Sequence, residues 1–417
     1  MKSIKKLFLY IIVLITFFGS TLHAQITIGS GWAPIEGALL ELKEQQQAGG
    51  APNATKGLVL PRVNLTNLKP NAAADFSASI GGSGDWDLEA HVGLMVYNVY
   101  EDRCAATPIL KGIYVWSGTE WQPLFDINSH SPEVEIFTDT RDGKSEQYLT
   151  GDFGLAGRWF LENLRYLPAD GSIKLNAASD TYTTMTYFYP NGTSSNVYGV
   201  PPSTWEPDHG LLYNWVAATY GQNASTSNQN QVQGVVPGPN EVESVFETPV
   251  GSGNKNGKIQ GLCPAGWHIP SDREWNDLER EIYTSPQKYS KYADNSLFPN
   301  NNTWDPVWET SLNWRPLTTN TKDAQGKAMK SPCPISSSYP TNGNSSPRQQ
   351  NGFSVLLIGY ASKGNPLLFG QSTSFQSSSA NVLAYAWSRT LDGSHATVYR
   401  VNTKSRSDLF SVRCKKD

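Results

Sequence analysis

Apolar and polar positions along the chain fall into one long apolar run followed by many short ones. The long run is Leu7 to Phe18, broken only by Thr16, behind a positive stretch carrying Lys2, Lys5 and Lys6. Small residues follow, and Leu22-His23-Ala24 before Gln25 has the form of a cleavage site. A dozen apolar residues fall short of the ~20 that a spanning helix requires, so the layout predicts a secretory signal peptide over 1–24 rather than an anchor. No later stretch is apolar enough to cross a membrane, and no Cys follows the run to carry a lipid.

Beyond residue 25 the apolar segments shorten to strand length between turn residues. Leu58 to Pro61 and Val92 to Tyr97 read as strands. Gly112 to Trp116 and Glu120 to Leu124 read as a hairpin closed by Ser117-Gly118-Thr119. A polar connector over Ile127 to Glu133 sets the expected boundary between a β-rich presenter region, 25–131, and a second domain, 132–417. There, Val134 to Phe137 and Glu146 to Leu149 flank an Asp142-Gly143 turn. Gly210 to Ala218 is apolar and helical at its Ala-rich end, and Gln222 to Gln233 is a long polar stretch. The clearest helix begins after Pro270. Ser271 is a natural N-cap, Glu274 three residues on completes a capping box, and Trp275, Leu278 and Ile282 share one face. Strand-like runs close the chain at Ala384 to Ser388, Ala396 to Val401 and Leu409 to Cys414. The fold class is α+β and β-rich.

Composition narrows the function classes. In 417 residues, 33 Lys and Arg face 37 Asp and Glu, a net charge of −4, so a basic nucleic-acid surface is not expected. Aromatic residues make up 11%, which argues against long-range disorder. Low charge with abundant Ser, Thr and Asn suits a protein outside the cell. The four cysteines then read as disulfides in one of three pairings.

Candidate chemistry is sparse. Trp275-Asn276-Asp277 and Glu206-Pro207-Asp208 look like the triplets of a calcium-dependent lectin. The first, however, sits in a helix that splays Asn276 from Asp277, and the second is far upstream. No metal-ligand spacing, phosphate loop or nucleophile elbow is present, and Gly251 to Lys258 is read as a turn. His268 is read as a packing or hydrogen-bonding residue. No catalytic residue, metal or cofactor is assigned. Four tryptophans in polar contexts, Trp205, Trp304, Trp308 and Trp314, are as a set candidate rings for stacking on a glycan or anchoring a protein partner, with core filling the preferred reading of any single one.

Six motifs in order carry a resemblance: Arg158 to Leu164, Gly210 to Trp215, Leu262 to Pro270 with Glu274-Trp275, Asn351 to Ser354, Ala386 to Ser388 and Phe410 to Cys414. Together they resemble the Fibrobacter succinogenes major paralogous domain of secreted and surface proteins of the Fibrobacteres and Bacteroidetes. The segments 222–253 and 295–348 carry no matching motif. Gly57 to Arg62, Gly93 to Asn98 and Gly112 to Trp121 resemble the N-terminal regions of Bacteroidetes surface proteins. The resemblance implies a C-type-lectin-like C-terminal domain, similar in turn to formylglycine-generating enzymes, and an exported or cell-surface location. It also implies a disulfide between Cys263 and Cys414, because the last strand of such a fold returns beside its early part; the state of Cys104 and Cys333 stays open. The expected function is non-catalytic adhesion or recognition of a glycan or surface protein. A fimbrial or envelope subunit is the alternative, and a thiol-dependent enzyme comes last.

Overall fold

The computed structural model describes residues 26–29, 31–32, 35, 38–45, 52–105, 107–125, 130–175, 183–191, 201–220, 259–300, 303–316, 323–336, 338–382 and 384–417. The apolar run read as a signal segment, with its expected cleavage before Gln25, the polar stretch from Gln222 and the glycine-rich 251–258 lie outside these. The chain divides into two compact units: Met1–Glu101 with Ile109–Phe125, and Asp102–Pro108 with Asp126–Asp417.

In the first unit, alternation along Met95–Asn98 and Gly112–Trp116 turns Val96, Tyr114 and Trp116 inward. These strands form the middle of a four-stranded sheet, flanked by Arg62–Val63 and Trp121–Pro123. The expected hairpin pairs Trp116 with Trp121. One short helix, Ala73–Ser79, covers the inner face, with Phe76 lying 4.5 Å from the Trp116 ring and 5.6 Å from that of Trp121. Buried Asn98 supplies four polar contacts of this core. Its Oδ1 accepts from Leu65 and Tyr100 N–H, and its Nδ2 donates to the Tyr100 and Leu110 carbonyls.

The two larger sheets of the second unit are antiparallel and pack with one long helix; a three-stranded and a two-stranded sheet accompany them. The first sheet runs Trp267–His268, Lys415–Lys416, Arg158–Phe160, Glu146–Asp152, Val134–Asp139. The second runs Asn313–Arg315, Val398–Ser405, Tyr385–Asp392, Ser372–Val382. Period two explains why the first sheet is buried on both faces. Trp159 joins the core around the helix, whereas its neighbour Phe160 joins a second core with Tyr148, Trp267 and Tyr213. The helix spans Asp272–Thr284, with the Ser271/Glu274 capping box formed and Trp275, Leu278 and Ile282 fully buried.

Leu409 to Cys414 departs from the expected regular strand. Leu409, Phe410 and Ser411 make single bridges to Ala361, Tyr213 and Phe375, three different elements. Every one of these residues is buried, so the backbone pairs wherever a neighbour offers a group rather than along one ladder. The motifs that carry the resemblance meet along this segment. The Arg413 guanidinium donates to Asn163 Oδ1 and the Phe353 carbonyl, and lies 4.3 Å from the Phe353 ring.

Candidate functional site

Trp304 and Trp308, candidates as members of a ligand-binding set, are core residues, as core filling has it for each. They pack edge to face 5.3 Å apart beside Tyr283, and Trp304 Nε1 donates to Glu309 at 3.1 Å. Their four-residue spacing, leading into the short helix Val307–Thr310, is the signal that both fall on one buried side. Trp205 is half-buried against Tyr189 with its Nε1 on the Gly210 carbonyl, and Trp314 stacks on His395 at 3.8 Å. The Trp304–Trp308 pair, Trp205 and Trp314 therefore belong to three separate places and form no common surface.

Cys263 and Cys414 are bonded, with Cα atoms 5.8 Å apart, inside the core that holds Trp267. Cys104 and Cys333 form the second disulfide, so all four sulfurs are engaged.

Both lectin-like triplets are absorbed by local structure. Asn276 Oδ1 accepts from Arg315 at 2.7 Å and Arg389 at 2.9 Å, while Asp277 pairs with Arg280. Glu206 caps the turn Pro207–His209, and Asp208 meets Arg348. Among the described residues no three His, Cys, Asp or Glu side chains are grouped to hold a metal ion. Asn276 belongs to a buried ionic network on the helix. Asp272 meets Arg389 and Arg400, each at 2.6 Å; Glu279 meets Arg389 at 2.7 Å and also Arg315. Burial alone would raise the Asp272 carboxyl, but Arg389 and Arg400 outweigh it and hold it at about 2. Burial brings Arg315 down to about 9. All five charged groups are sealed from solvent, which makes this network architecture rather than a place for substrate. Buried His268 is likewise engaged on both ring nitrogens, by Glu274 and Asp417, each at 2.8 Å.

Solvent does reach a cleft of about 340 Å³ at the end of the second sheet. Ser372 begins one of its strands and Asp392 ends the next, and the cleft lies over these two residues, the turn after Asp392 and the loops bearing Leu368 and Tyr339. Two close approaches build it. A Cβ on Gly393 would lie 2.4 Å from the Pro340 carbonyl oxygen. One on Gly370, at φ +80°, would lie 2.8 Å from Ser336 Cβ. Asn342 donates to the Gly393 carbonyl, tying the two walls together. The turn itself is set by Asp392 Oδ1, which accepts from the N–H groups of Ser394 and His395 at 2.9 and 2.8 Å. Burial would raise this carboxyl, but hydrogen bonds from His395 and Ser394 outweigh it and keep it below the usual range. Beneath the turn, Lys330 donates to the carbonyls of Asp392 and His395, and burial lowers its ammonium to about 8. Tyr339 and Leu368 form an exposed rim, at 41% and 46%. Ser372 is only 4% exposed, and its Oγ has no hydrogen-bond partner. None of these residues was singled out from sequence. Asp392-Gly393 signals a turn, but Tyr339 sits in the stretch without a matching motif.

A second feature lies on the first unit. Met95 and Tyr97 point outward from the four-stranded sheet, both exposed, opposite partly exposed Val115 and Ile113. Leu58 and Val59 are exposed as well. The run Leu58 to Pro61, expected as a strand, pairs only from Arg62 onward.

Residues 27–136 match the phage tail like trimerisation region. The chain matches no curated protein and no solved structure. The Fibrobacter succinogenes major domain matches residues 156–416, more than half of the length, and the chain belongs to that family.

Proposed function

We propose that this is an exported, non-catalytic recognition protein that associates with copies of itself through its N-terminal unit and displays a C-type-lectin-like C-terminal domain for adhesion. The observation that carries the reading is the outer face of the first sheet, where Met95 and Tyr97 are exposed and their cross-strand partners Val115 and Ile113 are partly so. Apolar faces of this kind mark association sites. The similarity of 27–136 to a trimerisation region favours three copies. The lysine-led apolar run supports export, and two disulfides are compatible with an oxidising destination. A long capped helix between two antiparallel sheets, with the final segment disulfide-bonded to Cys263, supports the lectin-like reading. A thiol-dependent reaction has no free sulfur to work with. A structural envelope subunit would use the same self-association; the open cleft favours recognition.

Light scattering on residues 25–417 tests the assembly. The wild type should elute with the mass of three chains, and the double variant Met95→Lys, Tyr97→Lys with the mass of one, its melting temperature unchanged. A wild type that is monomeric at micromolar concentration would overturn the reading.

A further inference from the structure

We propose that the cleft between Tyr339 and Asp392 is a binding site for a neutral saccharide ring. The inference rests on the recognition reading and names the ligand class.

Its lining joins two chemistries that few ligands satisfy together. Tyr339 and Leu368 offer an aromatic and an aliphatic surface at the rim. Asn342, Gln371 and Asp392 offer amide and carboxylate groups within. A pyranose has the matching halves: a face of C–H groups that lies against a ring, and hydroxyls that both donate and accept. Purely apolar ligands would desolvate the Gln371 amide and the open positions left on Asn342 and Asp392, at a cost that disfavours them. Anions are disfavoured by charge, because a carboxylate lines the cleft and no Lys or Arg does. A volume of about 340 Å³ lies at the low end of the ~300–1,000 Å³ range of small-molecule sites and fits one or two sugar units rather than a protein segment.

Ser372 is one of several buried hydroxyls of the second sheet, with Thr373 and Ser388, that have no hydrogen-bond partner among the described residues. Buried hydroxyls are nearly always hydrogen-bonded in folded proteins, and the exceptions call for an explanation. Here the Oγ of a buried residue on the cleft wall has no partner in the protein. That Oγ is closed to solvent, so a sugar hydroxyl would meet it only after the Ser372 side chain turned toward the cleft. The walls are also held in place beforehand, by the Asn342 link to Gly393 and by Lys330 under the turn, so little ordering is needed on binding.

The test uses the mature chain on immobilised gluco-, galacto-, manno- and xylo-oligosaccharides beside sialylated and uronic-acid-containing ones. Wild type should bind at least one neutral class, and Tyr339→Ala and Gln371→Ala should each weaken it about tenfold, a loss of ~1.4 kcal/mol. Tyr339→Phe, which keeps the ring, should bind as wild type does. Tyr339 and Gln371 are not core residues, and unchanged melting temperatures would show that the variants fold. Binding confined to acidic sugars, binding insensitive to both alanine variants, or no saccharide binding by an intact trimer would each overturn the inference. In the last case adhesion of the trimer to cells would still support the recognition reading, whereas a monomer that adheres to nothing would remove that reading itself.

Discussion

Asp272 is a small side chain with a large structural consequence. It sits in the first turn of the long helix, where a negative charge is favoured, and it neutralises two guanidiniums drawn from neighbouring strands. Truncating one partner of such a group strands the others: in Asp272→Asn, Arg389 and Arg400 lose their shared carboxylate while remaining buried. The expected loss is about 3–5 kcal/mol, read from urea unfolding of the second unit. The same residue imposes an acid limit. Its folded pKa of about 2 lies below the model-peptide value of 3.8, so its stabilising contribution is complete above pH ~4 and is lost as pH falls toward 2. Acid unfolding should be steeper over that window in the wild type than in Asp272→Asn, and identical acid profiles would show that the pair carries no linkage. None of this was legible beforehand. Asp272 read as a good first-turn residue, but Arg389 and Arg400 reach it from 117 and 128 residues away, and no local pattern joins them.

At the scale of elements, legibility followed the range of the interactions that decide each one. The helix at Asp272–Thr284 is set by a cap and a box within four residues, and Trp275, Leu278 and Ile282 face inward as their spacing requires. The hairpin across Ser117 to Thr119 is just as local. Trp304 and Trp308 left a ligand-binding reading open because their polar neighbours say nothing about which side of a loop is covered. The Tyr339 cleft was invisible because its walls come from three chain segments whose meeting depends on glycines at 370 and 393. Long-range closure also explains the last segment. Leu409 to Ser411 exchanges backbone hydrogen bonds with three elements without forming a ladder, and a covalent anchor follows at Cys414. Replacing Cys263 and Cys414 together by Ser releases a closure spanning 151 residues and should cost about 2–5 kcal/mol by thermal or urea unfolding. A double variant as stable as wild type would mean that packing around Val412 and Trp267 holds the segment alone.

Over the whole molecule, self-association and a small cleft complement each other physically. A site that grips one or two sugar units has few contacts to offer, and single-site binding of that kind is weak. Three copies on one assembly change the arithmetic, because after the first contact the remaining sites meet their ligands at a high effective concentration, and avidity can exceed single-site affinity by ~10²–10⁴. The proposed trimer and the proposed sugar site therefore make a joint prediction that neither makes alone. Met95→Lys, Tyr97→Lys leaves every cleft residue untouched, so its affinity for a soluble oligosaccharide should equal that of the wild type in calorimetry. Its retention on a surface densely coated with the same sugar should fall by about 100-fold or more. Equal retention of monomer and trimer would mean that the assembly serves some purpose other than multivalent attachment, and a parallel drop in both measurements would place the first sheet in the binding site itself.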